Sequence, residues 1–363
     1  MALSTIPFSG LGADASNQGV NFRNIIINGD MSIAQRGAGP SGSFGGSGYS
    51  EGPDRWRHSL NSCGNWQTSQ STDVPSGQGF ASSLKLDCTS AAASLAATAE
   101  FQMVQRMEGQ MLQQLKKGTS NAESTTMSFW VKSNKTGTYI VRISDSDNSR
   151  HIAKSYTINS SSTWEKKTIT FDGDTSGVLD NDNARSIDIM FFLAAGSNLQ
   201  SGTLATSWEA NTIANQAVGQ VNVADSTSNE WYLTGVQWEV GTSASDFEFL
   251  PYDVNYQRCQ RYYQRGGNGW TGWAYGSNNT EMYCNLITPM RAGPSVSYSG
   301  SSTDGENGGR MHIAGVANYT ITGISDTGSQ TTTGFLINVT TGGNDTQKTA
   351  GIKGCPFIME SEL

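Results

Sequence analysis

Three aromatic side chains are the part of this chain best suited to chemistry, and the chemistry is binding. The stretch Gln264–Tyr275 reads Gln-Arg-Gly-Gly-Asn-Gly-Trp-Thr-Gly-Trp-Ala-Tyr, which sets Trp270, Trp273 and Tyr275 among glycines and small residues. Aromatic faces displayed by so lean a stretch can stack on the apolar C–H faces of a sugar ring while polar neighbours serve its hydroxyls. The more ordinary use of such rings is to fill the core of a small domain or a subunit contact, and both readings stand at this point.

Catalysis has little to work with. His58, His151 and His312 are the three histidines and show no metal-ligand spacing. There is no G-x-S-x-G, no P-loop and no dinucleotide-binding fingerprint. Glycoside cleavage needs only two carboxylates ~5–10 Å apart. A chain this rich in turns carries Asp and Glu somewhere, however, so their presence decides nothing. The long repeats of a β-helical depolymerase are missing. The expectation is a protein that is not an enzyme. Asp172-Gly-Asp174 and Asp180-Asn-Asp182-Asn are oxygen-rich loops of a kind that can take Ca2+, but they lack the EF-hand glutamate. Solvated turns are the simpler account, and no cofactor is expected beyond that one candidate ion. The five cysteines, at 63, 88, 259, 284 and 355, are odd in number and include no CxxC, which fits free thiols in a protein made in a cytosol.

The elements that must position these residues are strands. Glycine is abundant (42 of 363 residues), charged residues are only 15%, and Ser, Thr and Asn dominate the polar positions. The net charge is −8, and the one basic spacing is Arg258, Arg261, Arg265. A phosphate backbone needs a basic face, so nucleic-acid binding is not expected. No apolar run approaches ~18 residues, which excludes a membrane-spanning helix. The first residues lack a basic segment followed by an apolar core, so no secretory signal is read.

Thr125–Lys132 and Thr138–Ser144 flank the turn Asn134–Gly137 as a hairpin, and Phe129, Val131, Val141 and Ile143 are its core face. Trp231–Val240 reads as the closing strand of the same domain, anchored by Trp231, Leu233, Val236 and Trp238. Ile25-Ile26-Ile27 reads as a strand ending in an Asn28-Gly29 turn, and Glu108–Lys117 as a short helix stopped by Gly118. Strands this short and numerous mean a β-sandwich or jelly roll. The chain is therefore expected to be all-β: residues 1–20 a leader or anchor, 21–252 a jelly-roll sandwich, 253–265 a partly helical linker, and 266–363 a small β-rich domain. That last core is small enough to need a partner chain, which favours a homo-oligomer.

Several motifs resemble those of tail-fibre and related appendage proteins of tailed bacteriophages. They are Asn-Ile-Ile-Ile-Asn-Gly-Asp-Met-Ser-Ile-Ala-Gln-Arg-Gly (24–37), Pro-Asp-Arg-Trp (53–56) and Met-Ser-Phe-Trp-Val-Lys-Ser (127–133), then Tyr-Leu-Thr-Gly-Val-Gln-Trp-Glu-Val-Gly (232–241), Phe-Glu-Phe-Leu-Pro-Tyr (247–252) and Cys-Gln-Arg-Tyr-Tyr (259–263). Met290–Pro294 and Phe357–Leu363 continue the likeness. The resemblance implies a jelly roll similar to carbohydrate-binding modules and a small β-rich domain, in a virion-exposed and often trimeric protein that contacts other virion proteins and a host-surface glycan. Modules of this shape often close with an acidic residue that helps hold calcium. This chain has Thr234-Gly235 there, which argues against a structural calcium. A capsid decoration or connector with a purely structural role is the alternative, and a glycan-cleaving tailspike is a third.

Overall fold

The computed structural model describes residues 22–266, 270–276, 278–298, 310–313, 317–326, 330–341, 348–353 and 357–363. The expected leader, residues 1–20, lies outside them. The chain divides into two compact units, one reaching Asn255 and including Leu363, the other Tyr256–Glu362.

The first unit is built from β1 (Arg57–Asn61), β2 (Asn65–Ser71), β3 (Ser83–Ser90), β4 (Glu100–Glu108), β5 (Thr125–Ser133), β6 (Gly137–Asp145), β7 (Arg150–Ile158), β8 (Glu165–Phe171), β9 (Arg185–Ala195), the two-residue β10 (Glu209–Ala210) and β11 (Glu230–Val240). They form a six-stranded sheet, β1-β4-β9-β6-β7-β10, and a five-stranded sheet, β2-β3-β11-β5-β8. All neighbours are antiparallel. Antiparallel strands send alternate side chains to opposite faces, and on the six-stranded sheet the face away from the main core is itself partly covered, where Ile140, Ala153 and Phe192 pack with Ala195, Leu199 and Ala217. One continuous core fills the sandwich, with Trp66, Phe101, Phe129, Phe191, Trp231 and Trp238 among its largest members. All eight core residues read from the sequence lie in it, each at most 2% exposed.

In β11 the inward set changes parity, from Trp231 and Leu233 to Val236 and Trp238. The cause is a β-bulge. Thr234 faces Trp130 of β5 and Gln237 faces Ser128, so β11 spends one more residue than its neighbour. Gly235 sits at the bulge with φ +60°, and a Cβ there would meet Cζ of Phe80 at 2.5 Å.

The bulge also decides the fate of the isoleucine run. Ile25, Ile26 and Ile27 are buried as their type requires, but they do not form a strand. The Val236 N–H turns away from β5 to donate to Gly29 O (2.9 Å), Ile25 N–H donates to Trp238 O (2.9 Å), and Asn24 Nδ2 donates to Val236 O (3.1 Å). Ile27 is held by the buried Gln105 side chain, which accepts from its N–H (2.8 Å) and donates to its carbonyl (2.9 Å). Side chains thus replace the ladder. The segment is stitched to the far end of the unit as well: Glu248 accepts from the N–H groups of Phe22 (2.6 Å) and Asn24 (2.9 Å), and Arg23 donates to Ser245 Oγ (2.8 Å) and Asp246 O (2.6 Å).

The helix expected over Glu108–Lys117 is also corrected. Two 3-10 turns, Gly109–Met111 and Gln113–Leu115, stand there, and Lys116 is left-handed at φ 49°. Glycine at 109 and left-handed backbone at Lys116 and Gly118 (φ +81°) break the run at both ends. The α-helix among the described residues, α1, spans Tyr252–Gln260 and crosses the division between the units. No helix among the described residues is long and apolar enough to cross a membrane.

The second unit holds β12 (Tyr263–Gly266), β13 (Thr271–Ala274), β14 (Asn279–Asn285), β15 (Ser295–Tyr298), β16 (Arg310–Ile313), β17 (Ala317–Asp326), β18 (Gly334–Thr341), β19 (Lys348–Lys353) and β20 (Phe357–Glu360). Six close into a barrel, β13-β14-β18-β17-β16-β19, and β12-β20-β15 form a small sheet. Closure removes free strand edges. Met282, Cys284, Phe335, Ile337, Val339 and Phe357 are the centre of this unit's core.

Candidate functional site

The strand alternation that buries one face of the barrel exposes a row of aromatic rings on the other. On β13, Ala274 points inward and Trp273 outward; on β14, Met282 and Cys284 are buried while Glu281 and Tyr283 face outward. Trp273 lies in register between Glu281 of β14 and Thr349 of β19, and Glu281 in turn faces Asn338 of β18. Tyr275 follows β13 and donates from its hydroxyl to Asn338 Oδ1 at 3.0 Å, so its ring reaches across from β13 toward β18. Tyr283 lies against Gly334, where a Cβ would meet its hydroxyl at 2.9 Å. Gly272 lets β13 close onto β14, because a Cβ there would stand 2.1 Å from Glu281 O.

Trp273, Tyr275 and Tyr283 are each about half exposed, at 51%, 52% and 53%. Glu281, Asn338 and Thr349 lie between and beside them. Rings alternating with a carboxylate, an amide and a hydroxyl can stack on a ligand's apolar faces and hydrogen-bond its polar rim at the same time. Trp270 takes no part in this row. It is half-buried against Phe357 (centroids 4.8 Å apart) and Phe335 (5.5 Å, nearly perpendicular), so it belongs to the core. Of the three rings singled out in the sequence, two share a surface and one does not. Glu281 and Tyr283 completed the row unnoticed, although the alternation Glu-Met-Tyr-Cys-Asn carried the signal that would have found them.

A second aromatic cluster crosses the outer face of the five-stranded sheet, and it is closed upon itself. Tyr232 lies between Lys132 (4.0 Å from the ring centroid) and Lys85 (5.5 Å), and Trp164 meets it edge-on at 6.0 Å. Lys85 pairs with Asp87 (2.8 Å) and Glu230 (3.3 Å), Lys132 pairs with Asp73, and Trp164 Nε1 donates to Asp73 (2.9 Å). Burial pushes the Tyr232 hydroxyl's pKa up, reinforced by Glu230. Burial also acts to raise the Asp73 pKa, but hydrogen bonds from Lys132 and Trp164 outweigh it and leave the carboxyl below its usual range.

Asp174 of the first acidic loop is held by the chain's own cations, whereas in the second the Asp182 carboxylate accepts from the Ala184 N–H (2.9 Å). Lys117, side chain 4% exposed, donates to Asp145, to Asp174 Oδ2 (2.8 Å) and to Gly177 O (3.0 Å), and lies 4.7 Å from the Trp208 ring centroid. Arg150 donates to both oxygens of Asp174 at 2.7 and 3.0 Å. Among the described residues no group of three or more His, Cys, Asp or Glu side chains is placed to hold a metal ion. His58 stacks on Phe44 at 3.7 Å and contacts Gly46 O and Ser50 Oγ; burial brings its pKa down to about 4. His151, fully buried, has its pKa lowered by burial and by Arg142. Cys63, Cys88, Cys259 and Cys284 are buried and form no disulfide, and burial raises the thiols of Cys63 and Cys284 to about 12. Cys355 lies outside the described residues.

No protein-family model matches this sequence, and no curated protein does. Solved structures with some likeness include the enzymatically active domain of tailspike protein 4 of Bacteriophage CBA120, 13% identical over 60% of this chain and 22% of that one, with a TM-score of 0.32. They also include TmCBM61 in complex with β-1,4-galactotriose (12% identity, 60% of this chain and 99% of that one, TM-score 0.30). A third is the family 11 carbohydrate-binding module of Clostridium thermocellum with a mixed-linked tetrasaccharide (14%, 59% and 96%, TM-score 0.26).

Proposed function

We propose that this chain is a non-enzymatic surface protein of a bacteriophage virion, a tail fibre or similar appendage, that adheres to host-surface glycan through the outer face of its barrel. The observation that carries the reading is the row of Trp273, Tyr275 and Tyr283, each half exposed, with Glu281 and Asn338 between them. Exposed large rings are costly to leave in water and are the usual anchors of recognition surfaces. An apolar partner surface would leave the Glu281 carboxylate desolvated and unpaired, whereas sugar hydroxyls satisfy it. The virion setting rests on the motif resemblance, and with it comes the expectation of a homotrimer.

The test is a glycan array of bacterial surface polysaccharides probed with the full-length chain and with Trp273→Ala/Tyr283→Ala. Binding that falls at least tenfold in the variant, with unchanged far-UV circular dichroism, supports the reading. A chain that binds no surface polysaccharide, or a variant that binds as well as the parent, overturns it and leaves the structural decoration role.

A further inference from the structure

The jelly roll carries an open pocket of ≈ 240 Å3 that the barrel face does not explain. Its floor is the five-stranded sheet: Ser128 and Trp130 of β5, Lys166 of β8 and the bulge residue Gly235 of β11. One wall is the loop Gly77–Phe80 and the other the arm Asp246–Phe249. The walls are tied together by three rings: Phe80 lies 5.1 Å from Phe247 and 5.2 Å from Phe249, and Phe247 lies 4.9 Å from Phe249. Gly235 makes this possible, since any side chain there would displace Phe80. Phe249 nevertheless leaves half its surface exposed at the edge of the pocket.

What sets the pocket apart is its polar groups. On the neighbouring row of the same sheet face, Lys85, Lys132, Glu230, Asp73 and Trp164 are tied to one another. In the pocket, the Ser128 hydroxyl, the Trp130 indole N–H, the Lys166 ammonium, the Asp246 carboxylate and the Gln78 amide have no hydrogen-bond or ion-pair partner among the described residues. Ser128 is only 4% exposed. Lys166, Asp246 and Gln78 are exposed at the rim and Ser128 is buried, so an ammonium, a carboxylate, an amide and a hydroxyl surround one aromatic-walled hollow. Such groups form strong hydrogen bonds once a ligand displaces water from them.

We infer that this pocket is a second carbohydrate site, which takes a single pyranose unit. At ≈ 240 Å3 the space lies below the ~300–1,000 Å3 of clefts for drug-sized ligands, so it suits one ring and not an extended chain. The apolar face of the sugar rests on Trp130 and the phenylalanine walls. Its hydroxyls donate to Asp246 and Ser128 and accept from Lys166 and Gln78. The site lies wholly within the first unit and does not depend on the barrel row.

The experiment is saturation-transfer NMR on the full-length chain with methyl glycosides of glucose, galactose, N-acetylglucosamine and glucuronic acid. It is repeated on Trp130→Ala, on Lys166→Ala/Asp246→Asn and on the barrel variant Trp273→Ala/Tyr283→Ala. The expected result is transfer to at least one glycoside that falls more than fivefold in both pocket variants and persists in the barrel variant. Lys166 and Asp246 are exposed, so their double variant tests the site even if Trp130→Ala perturbs folding. Transfer to none of the four probes overturns the proposal. Transfer that survives both pocket variants but is lost in the barrel variant also overturns it, and that result leaves glycan binding by the barrel intact.

Discussion

Replacing Gly235 by alanine tests the junction on which the closing strand, the phenylalanine walls and the pocket all depend. Gly235 has φ +60°, and the added Cβ would stand 2.5 Å from Phe80 Cζ and 3.1 Å from both Cε atoms. Two costs follow. Holding a non-glycine residue in the left-handed region costs ~1–3 kcal/mol. Pushing Phe80, 8% exposed, out of its packing against Phe247 and Phe249 adds the ~1–3 kcal/mol of overpacking. The sum is about 2–6 kcal/mol, read as a lower urea midpoint with unchanged slope in the transition followed by tryptophan fluorescence. The two parts are separated by a double-mutant cycle. In a Phe80→Ala background the steric part disappears and only the conformational part remains, so the coupling between the two changes is about 1–3 kcal/mol. Gly235→Ala within ~0.5 kcal/mol of the parent, or costs that simply add, would refute the contact and with it the account of the bulge.

Other changes probe the rest of the molecule. Trp238→Ala, at a site 2% exposed, is expected to cost ~3–5 kcal/mol, whereas Trp273→Ala, half exposed on the barrel, is expected to stay within ~0.5 kcal/mol in the same urea titration. His58 has a folded pKa of about 4 against an unfolded value near ~6.5, so the unfolded chain binds the extra proton between these values. Its contribution is complete above pH ~6.5 and is lost as pH falls toward ~4, amounting to about 3 kcal/mol, and His58→Gln should flatten the stability–pH slope across that window. Lys117→Met removes the ammonium from between Asp145 and Asp174, both side chains at most 2% exposed, and is expected to cost ~3–5 kcal/mol with little salt dependence, checked by melts at low and high salt.

The core was legible because burial leaves a period. Phe129 and Val131, and Val141 and Ile143, alternate cleanly and face inward as that alternation demands. The parity change in β11 was not legible, since a bulge is a relation between two strands and only one was being read. Ile25–Ile27 show the same limit from the other side: their apolar character predicted burial correctly, but apart from the adjacent Asn24 the hydrogen bonds that hold them come from Gln105 and β11, both distant in sequence. At the barrel, the glycine-rich run offered no period to separate Trp270 from Trp273, and only pairing in space assigns one to the core and the other to the surface. The pocket residues lay in five separate stretches, and nothing in any one of them marked the others.

The stitching of Phe22–Gly29 to Val236–Glu248 bears on how the jelly roll would carry a mechanical load. Within this unit Phe22–Asn24 is joined to Ser245–Glu248 by the bonds of Glu248 to Phe22 and Asn24 and of Arg23 to Ser245 and Asp246. Tension applied along the chain therefore falls first on this short clasp and not across the two sheets. While the clasp holds, the load by-passes the two sheets, and the surface it strains first is the pocket wall Asp246–Phe249, which carries part of the clasp.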